Sequence, residues 1–105
     1  MKRVYFLSTC DKCRRILSSL ENRSDYEHVD IKIKHISPEI LDNLAGFVGS
    51  YEALFNKRAI KFKDPSIRES IKRDLDFRRL ILEEYTFLKR PIFINDDKIG
   101  IEKPI

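Results

Sequence analysis

No stretch of the sequence stays apolar for more than a few residues, so no segment of it is long enough to span a bilayer. The basic start Met1-Lys2-Arg3 leads into Val4 to Leu7, an apolar run too short for a signal-peptide core, so a cytoplasmic location is expected. Three glycines and four prolines exclude collagen-like and low-complexity character. With 42% hydrophobic and 36% charged residues, the chain has apolar material for one core under a charged surface, which argues against disorder. Its 105 residues suit a single domain. Long runs of one charge are also missing. The 21 basic and 17 acidic residues give +4 but are interleaved, which argues against a nucleic-acid partner. The one exception is Lys57 to Lys63, with four positive charges in seven residues and no acid, a stretch suited to an anion.

Cysteine and histidine are equally sparse. Two cysteines cannot build the disulfide framework of a small secreted domain. The two histidines, His28 and His35, are seven apart, wider than the usual zinc-ligand spacing, so no metal site is expected. What remains is Cys10 and Cys13, spaced C-x-x-C.

Hydrophobic patterning supplies the frame. Arg3 to Leu7 reads as a buried strand. Ser8 or Thr9 caps a following helix, whose buried face is Cys13, Ile16, Leu17 and Leu20 and whose end falls near Asn22 to Ser24. Tyr26 to Ile33 alternates as a second strand, with Val29, Ile31 and Ile33 on one side. Ser37-Pro38-Glu39 opens a helix with Ile40, Leu41, Leu44, Phe47 and Val48 inward and Gly49 at its end. A short helical turn at Tyr51 to Phe55 precedes the basic stretch. Asp64-Pro65 opens another helix, and a further one covers Asp76 to Tyr85. Pro91 to Ile94, a turn at Asn95-Asp96-Asp97, and Ile99 to Ile101 form a hairpin. A parallel β-α-β pair closed by an antiparallel hairpin, with C-x-x-C at the first strand–helix junction, is a thioredoxin-like α/β architecture.

At that junction the unpaired N–H groups and the dipole of the helix favour a thiolate, so Cys10 is the expected nucleophile. Arg14 and Arg15, one turn on, would add to this if they lean back. Cys13 is placed either to resolve an adduct on Cys10 or to fill the core, since it falls on the apolar stripe.

Three segments carry a family resemblance: Tyr5-Phe6-Leu7-Ser8-Thr9-Cys10-Asp11-Lys12-Cys13-Arg14, Tyr51-Glu52-Ala53-Leu54-Phe55-Asn56-Lys57-Arg58 and Phe87-Leu88-Lys89-Arg90-Pro91-Ile92. In this order they resemble the arsenate reductase (ArsC)/Spx family over nearly the whole chain. The resemblance implies a single thioredoxin-like domain over residues 1–105, with a helical insertion at about 37–86 between the second and third strands. It implies that Cys10 is the nucleophile, that Arg90 holds the oxyanion, and that Pro91 is cis and lies beside the cysteine loop. Arg58 is the next candidate anion ligand, and Lys103 stands near a third basic position of some reductases. The implied activity is thiol-dependent reduction of a small oxyanion such as arsenate. No bound cofactor is implied; glutathione with glutaredoxin, or thioredoxin, is the reductant, unless Cys13 releases the adduct. Two departures stand out. The family's final helix is missing after Ile99 to Ile105, which would leave an apolar sheet face to be covered by a second copy of the chain as a homodimer, or mark a shortened chain. The Cys13 position is shared with Spx-type regulators, so a redox switch that binds RNA polymerase is the alternative function, and a catalytically inactive family member is a third.

Overall fold

A computed structural model describes residues 1–105, and the chain divides into two compact units, Met1–His35 with Arg90–Ile105, and Ile36–Lys89. The first unit holds a four-stranded mixed sheet made of β1 (Lys2–Phe6), β2 (Glu27–Asp30), β3 (Ile92–Asn95) and β4 (Lys98–Ile101), in the order β2-β1-β3-β4. β1 runs parallel to β2, through a crossover that contains helix α1 (Asp11–Ser19), and antiparallel to β3. The β3–β4 hairpin completes the sheet.

Register explains the core. Val4 faces Phe93 across β1 and β3, and both are fully buried with Leu17 of α1 and with Tyr26. The Tyr26 ring meets Phe93 edge-on at 5.4 Å. Phe6, Ile16 and Leu20 pack at the margin of this cluster. Each such fully buried side chain contributes about 1.5–3 kcal/mol. Tyr5, Ile92 and Ile94, which alternate with these residues, are buried as well. Both faces of the central strands are therefore apolar. At the β1–β2 pairing, Arg3 lies opposite Glu27 and donates to its carboxylate at 2.7 Å.

Three local expectations shift. Cys10 itself is the residue that starts α1, not Ser8 or Thr9. The helix ends at Ser19, short of Asn22 to Ser24, because the Ser18 and Ser19 hydroxyls donate to the carbonyls of Arg15 and Ile16 and compete with the helical ladder. The second strand stops at Asp30, not Ile33. The Asp30 carbonyl accepts from the N–H groups of Ile33 and Lys34 and its carboxylate accepts from Lys32 N–H, which turns the chain and leaves Ile33 84% exposed.

The second unit is helical. Helix α2 (Pro38–Val48) starts as its sequence dictates, with the Ser37 hydroxyl accepting from Ile40 N–H at 3.2 Å and Pro38 in the first turn. It ends at Gly49, whose φ of 98° is left-handed. Leu41, Leu44 and Ala45 form its buried stripe, while Phe47 turns outward and is 60% exposed, against expectation. Asp64 caps the short helix α3 (Pro65–Glu69) by accepting from Ser66 N–H. Helix α4 (Asp74–Glu83) begins two residues before the expected Asp76, because the Asp76 carboxylate reaches back to accept from Lys72 and Arg73 N–H. Its Phe77 joins Phe55, Phe62 and Phe87 in an aromatic cluster centred on Phe55, with ring centroids 4.9–5.1 Å from it. No helix is long and apolar enough to cross a membrane.

Candidate active site

The end of β1 and the start of α1 present Cys10. A turn closed by Cys10 N–H donating to the Leu7 carbonyl (3.0 Å) leads into the helix, and the Cys10 carbonyl accepts the first helical bond from Arg14 N–H (3.1 Å). Cys10 is half-buried and Cys13 is fully buried; both are free thiols. The Cys10 sulfur makes no full capping hydrogen bond, yet the Cys13 backbone N–H of the first helical turn faces it.

Opposing forces act on this thiol. Burial pushes its pKa up. The Cys13 backbone N–H, the Cys13 thiol and the Arg90 guanidinium together outweigh burial and hold Cys10 below the ordinary cysteine range. Cys13 shows the reverse. Burial first, and then the neighbouring Cys10 charge, push it up to about 12, although the Leu7 backbone N–H and Arg90 act in the other direction. The surroundings thus favour the charged form of one sulfur and the neutral form of its neighbour. The pair can attack an electrophile through Cys10 while Cys13 stays neutral.

Arg90 reaches this place from far along the sequence, at the entry to β3. The Arg90–Pro91 peptide bond is cis, and Pro91 is fully buried. The structure brings Cys10, Cys13 and Arg90 together within the first unit, with Pro91 next to Arg90 in the chain. Arg58 belongs to the second unit, exposed, on a turn in which its N–H donates to Asn56 Oδ1 at 3.1 Å. Arg14 does lean back, but toward the Asp11 carboxylate and the Ser8 carbonyl, and it is not among the groups that lower the Cys10 pKa. Arg15 and Lys103 are exposed. No group of three or more His, Cys, Asp or Glu side chains is placed to hold a metal ion.

Sequence reasoning missed three supports of this loop. Asp30, at the end of β2, accepts from Ser8 N–H at 3.4 Å. Burial opposes its ionisation, but the Ser8 hydroxyl and the N–H groups of Lys32 and Ser8 prevail and keep its carboxyl below the usual range. Lys12, between the two cysteines, forms an ion pair with Glu102, just beyond β4. Glu102 in turn donates its N–H to the Pro91 carbonyl at 2.8 Å. The only signal for Asp30 is an acid at a strand end. For Lys12 and Glu102, 90 positions apart, there is no local signal at all.

No protein-family model and no curated protein matches the sequence. Solved structures do match. An arsenate reductase from Vibrio cholerae is similar over 93% of this chain and 86% of its own, with a TM-score of 0.78 and 21% identity. An arsenate reductase (ArsC) related protein from Brucella melitensis is 25% identical, with a TM-score of 0.72 over 95% of this chain and 84% of its own. A Streptococcus mutans protein described as "a possible arsenate reductase" covers 95% of this chain with 87% of its own, at a TM-score of 0.76 and 21% identity. The chain shares with these proteins a thioredoxin-like mixed sheet with helices, in agreement with the fold expected from its sequence.

Proposed function

We propose that the chain is a thiol-dependent oxidoreductase of the arsenate reductase type. The observation that carries this reading is the Cys10 sulfur at the start of α1, with the Arg90 guanidinium in hydrogen-bonding reach of it and favouring its charged form. Cys10 attacks the arsenic of an arsenate oxyanion; an S–As bond forms, an As–O bond breaks, and the oxygen leaves as water. Arg90, as a planar fork that stays charged, holds the remaining oxygens and the charge that develops on them. A second thiol then attacks the Cys10 sulfur. A disulfide forms, the S–As electron pair stays with arsenic, and arsenite departs. The sum is arsenate and two thiols giving arsenite, a disulfide and water.

Glutathione with glutaredoxin is the proposed second thiol, with thioredoxin as the other external donor. Cys13 suits a slower internal route. Once Cys10 is bonded to arsenic it is no longer an anion, and one of the two influences that keep Cys13 protonated is removed. The reading also implies a cytoplasmic setting, where both thiols are kept reduced.

The direct test is arsenite production by the purified protein with glutathione and glutaredoxin. Turnover is expected from the wild type and none from Cys10→Ser; equal rates in the two would end the proposal. A second reading, a redox switch without turnover, draws on the contact between the two thiols. It predicts a Cys10–Cys13 disulfide under mild oxidation and no arsenite.

A further inference from the structure

Three observations converge on Glu102. Its φ of 63° is left-handed, a conformation that non-glycine residues adopt only where the surroundings impose it. Its N–H is bonded to the carbonyl of Pro91, the residue after Arg90. Its carboxylate is paired with Lys12, inside the C-x-x-C turn, and both side chains are about one-third exposed. The chain around it is tightly folded. A Cβ built at Gly100 would lie 2.3 Å from the Lys103 carbonyl oxygen, so the segment after β4 turns back against a residue that must be glycine.

An ion pair on an open surface is worth little. This one differs because a single residue grips both halves of the site, one through its backbone and the other through its side chain. We propose that Glu102 is a positioning residue that ties the Cys10–Cys13 turn to the Arg90–Pro91 strand and so keeps the guanidinium against the Cys10 sulfur. The inference rests on the reading of Cys10 as the reactive thiolate. It does not depend on arsenate being the substrate.

Sign separates this clamp from simple electrostatics. If the Glu102 charge acted on the sulfur directly, its removal would take away a nearby negative charge, lower the Cys10 pKa and speed alkylation at neutral pH. If Glu102 acts as a clamp, its loss frees Arg90 to drift, the pKa rises and alkylation slows. The experiment is the rate of Cys10 alkylation by iodoacetamide against pH in wild type, Glu102→Gln, Lys12→Gln and the double variant. Each single change is expected to move the midpoint upward and to slow alkylation at neutral pH by roughly two- to fivefold, the range of a partly exposed ion pair. The double variant is expected to match the singles. Glu102→Gly, which removes the side chain while relieving the left-handed backbone, guards against simple misfolding and is expected to show the same upward shift. An unchanged or lowered midpoint in Glu102→Gln, or a wild-type midpoint in Glu102→Gly, overturns the clamp. A wild type that fails to make arsenite but shows the expected shifts sinks the reductase reading and leaves the clamp standing.

Discussion

Each of the two units of this chain is stabilised internally by its own kind of contact. In Ile36–Lys89 the residues that start or stop each helix lie within a few positions of it: Ser37 and Gly49 for α2, Asp64 for α3, Asp76 for α4. Its interior is a phenylalanine cluster in which Phe55 is nearly wholly buried against three other rings. In the sheet unit the decisive contacts span long stretches of chain: Arg3 with Glu27, Ser8 with Asp30, Lys12 with Glu102, Cys10 with Arg90. The difference teaches where chemistry is affordable. The helical unit also pairs distant charges, Arg78 with Asp42 and Lys61 with Glu84, but it contains no thiol and these pairs serve the fold alone. Residues drawn from β1, α1, β2, β3 and the segment after β4 can hold a thiolate and a guanidinium in contact, because a sheet brings remote segments side by side.

The sharpest way to break this contrast is to attack each unit at its own centre. Phe55→Ala removes a ring packed against Phe62, Phe77 and Phe87 and is expected to cost about 3–5 kcal/mol of stability, read by chemical denaturation. A loss well under this would mean that the aromatic cluster is not what holds the helical unit. Next in size is Arg90→Met. The alkylated species is the thiolate, and the guanidinium favours that charged form. Without it, burial is opposed only by the Cys13 groups, so the pH midpoint of Cys10 alkylation is expected to rise and the neutral-pH rate to fall. Global stability should change far less than for Phe55→Ala. A midpoint that stays put would mean that the long-range pairing does not tune the sulfur.

Much of the frame was legible because its signals are local. The Ser37-Pro38 and Asp64-Pro65 starts and the Gly49 stop each act within one helical turn, and the structure has all three. The parallel crossover pair and the closing hairpin were legible in the patterning, whereas the pairing of β3 with β1 that sets the strand order was not. Cys10 and Cys13 announced themselves by spacing. Arg90 and Pro91 did not; on residue pattern alone an arginine flanking a strand is surface, and only the family resemblance pointed to them. Two kinds of feature were hidden. Ile33 and Phe47 sit on apolar stripes that the periodicity assigns to the interior, but the turn after Asp30 and the limited width of the buried face of α2 leave them outside. Glu102 and Asp30 matter through partners on other elements, and no window of sequence contains both ends of those contacts.

The smallest expected effect tests the local side of the comparison. Ser37→Ala removes the hydroxyl that accepts from Ile40 N–H while leaving Pro38 and the Gly49 stop in place. The first-turn N–H then turns to water, since Ser37 is only half-buried and Ile40 lies at the helix start. The loss should be about 1 kcal/mol, the usual worth of such a cap. Because the contact is confined to one turn, the change should leave the alkylation midpoint of Cys10 where it is. Denaturation and alkylation measured on the same sample check both halves of that expectation. If the midpoint moves with so slight a loss of stability, the helical unit is coupled to the sulfur after all, and the division of labour between local caps and long-range pairs fails.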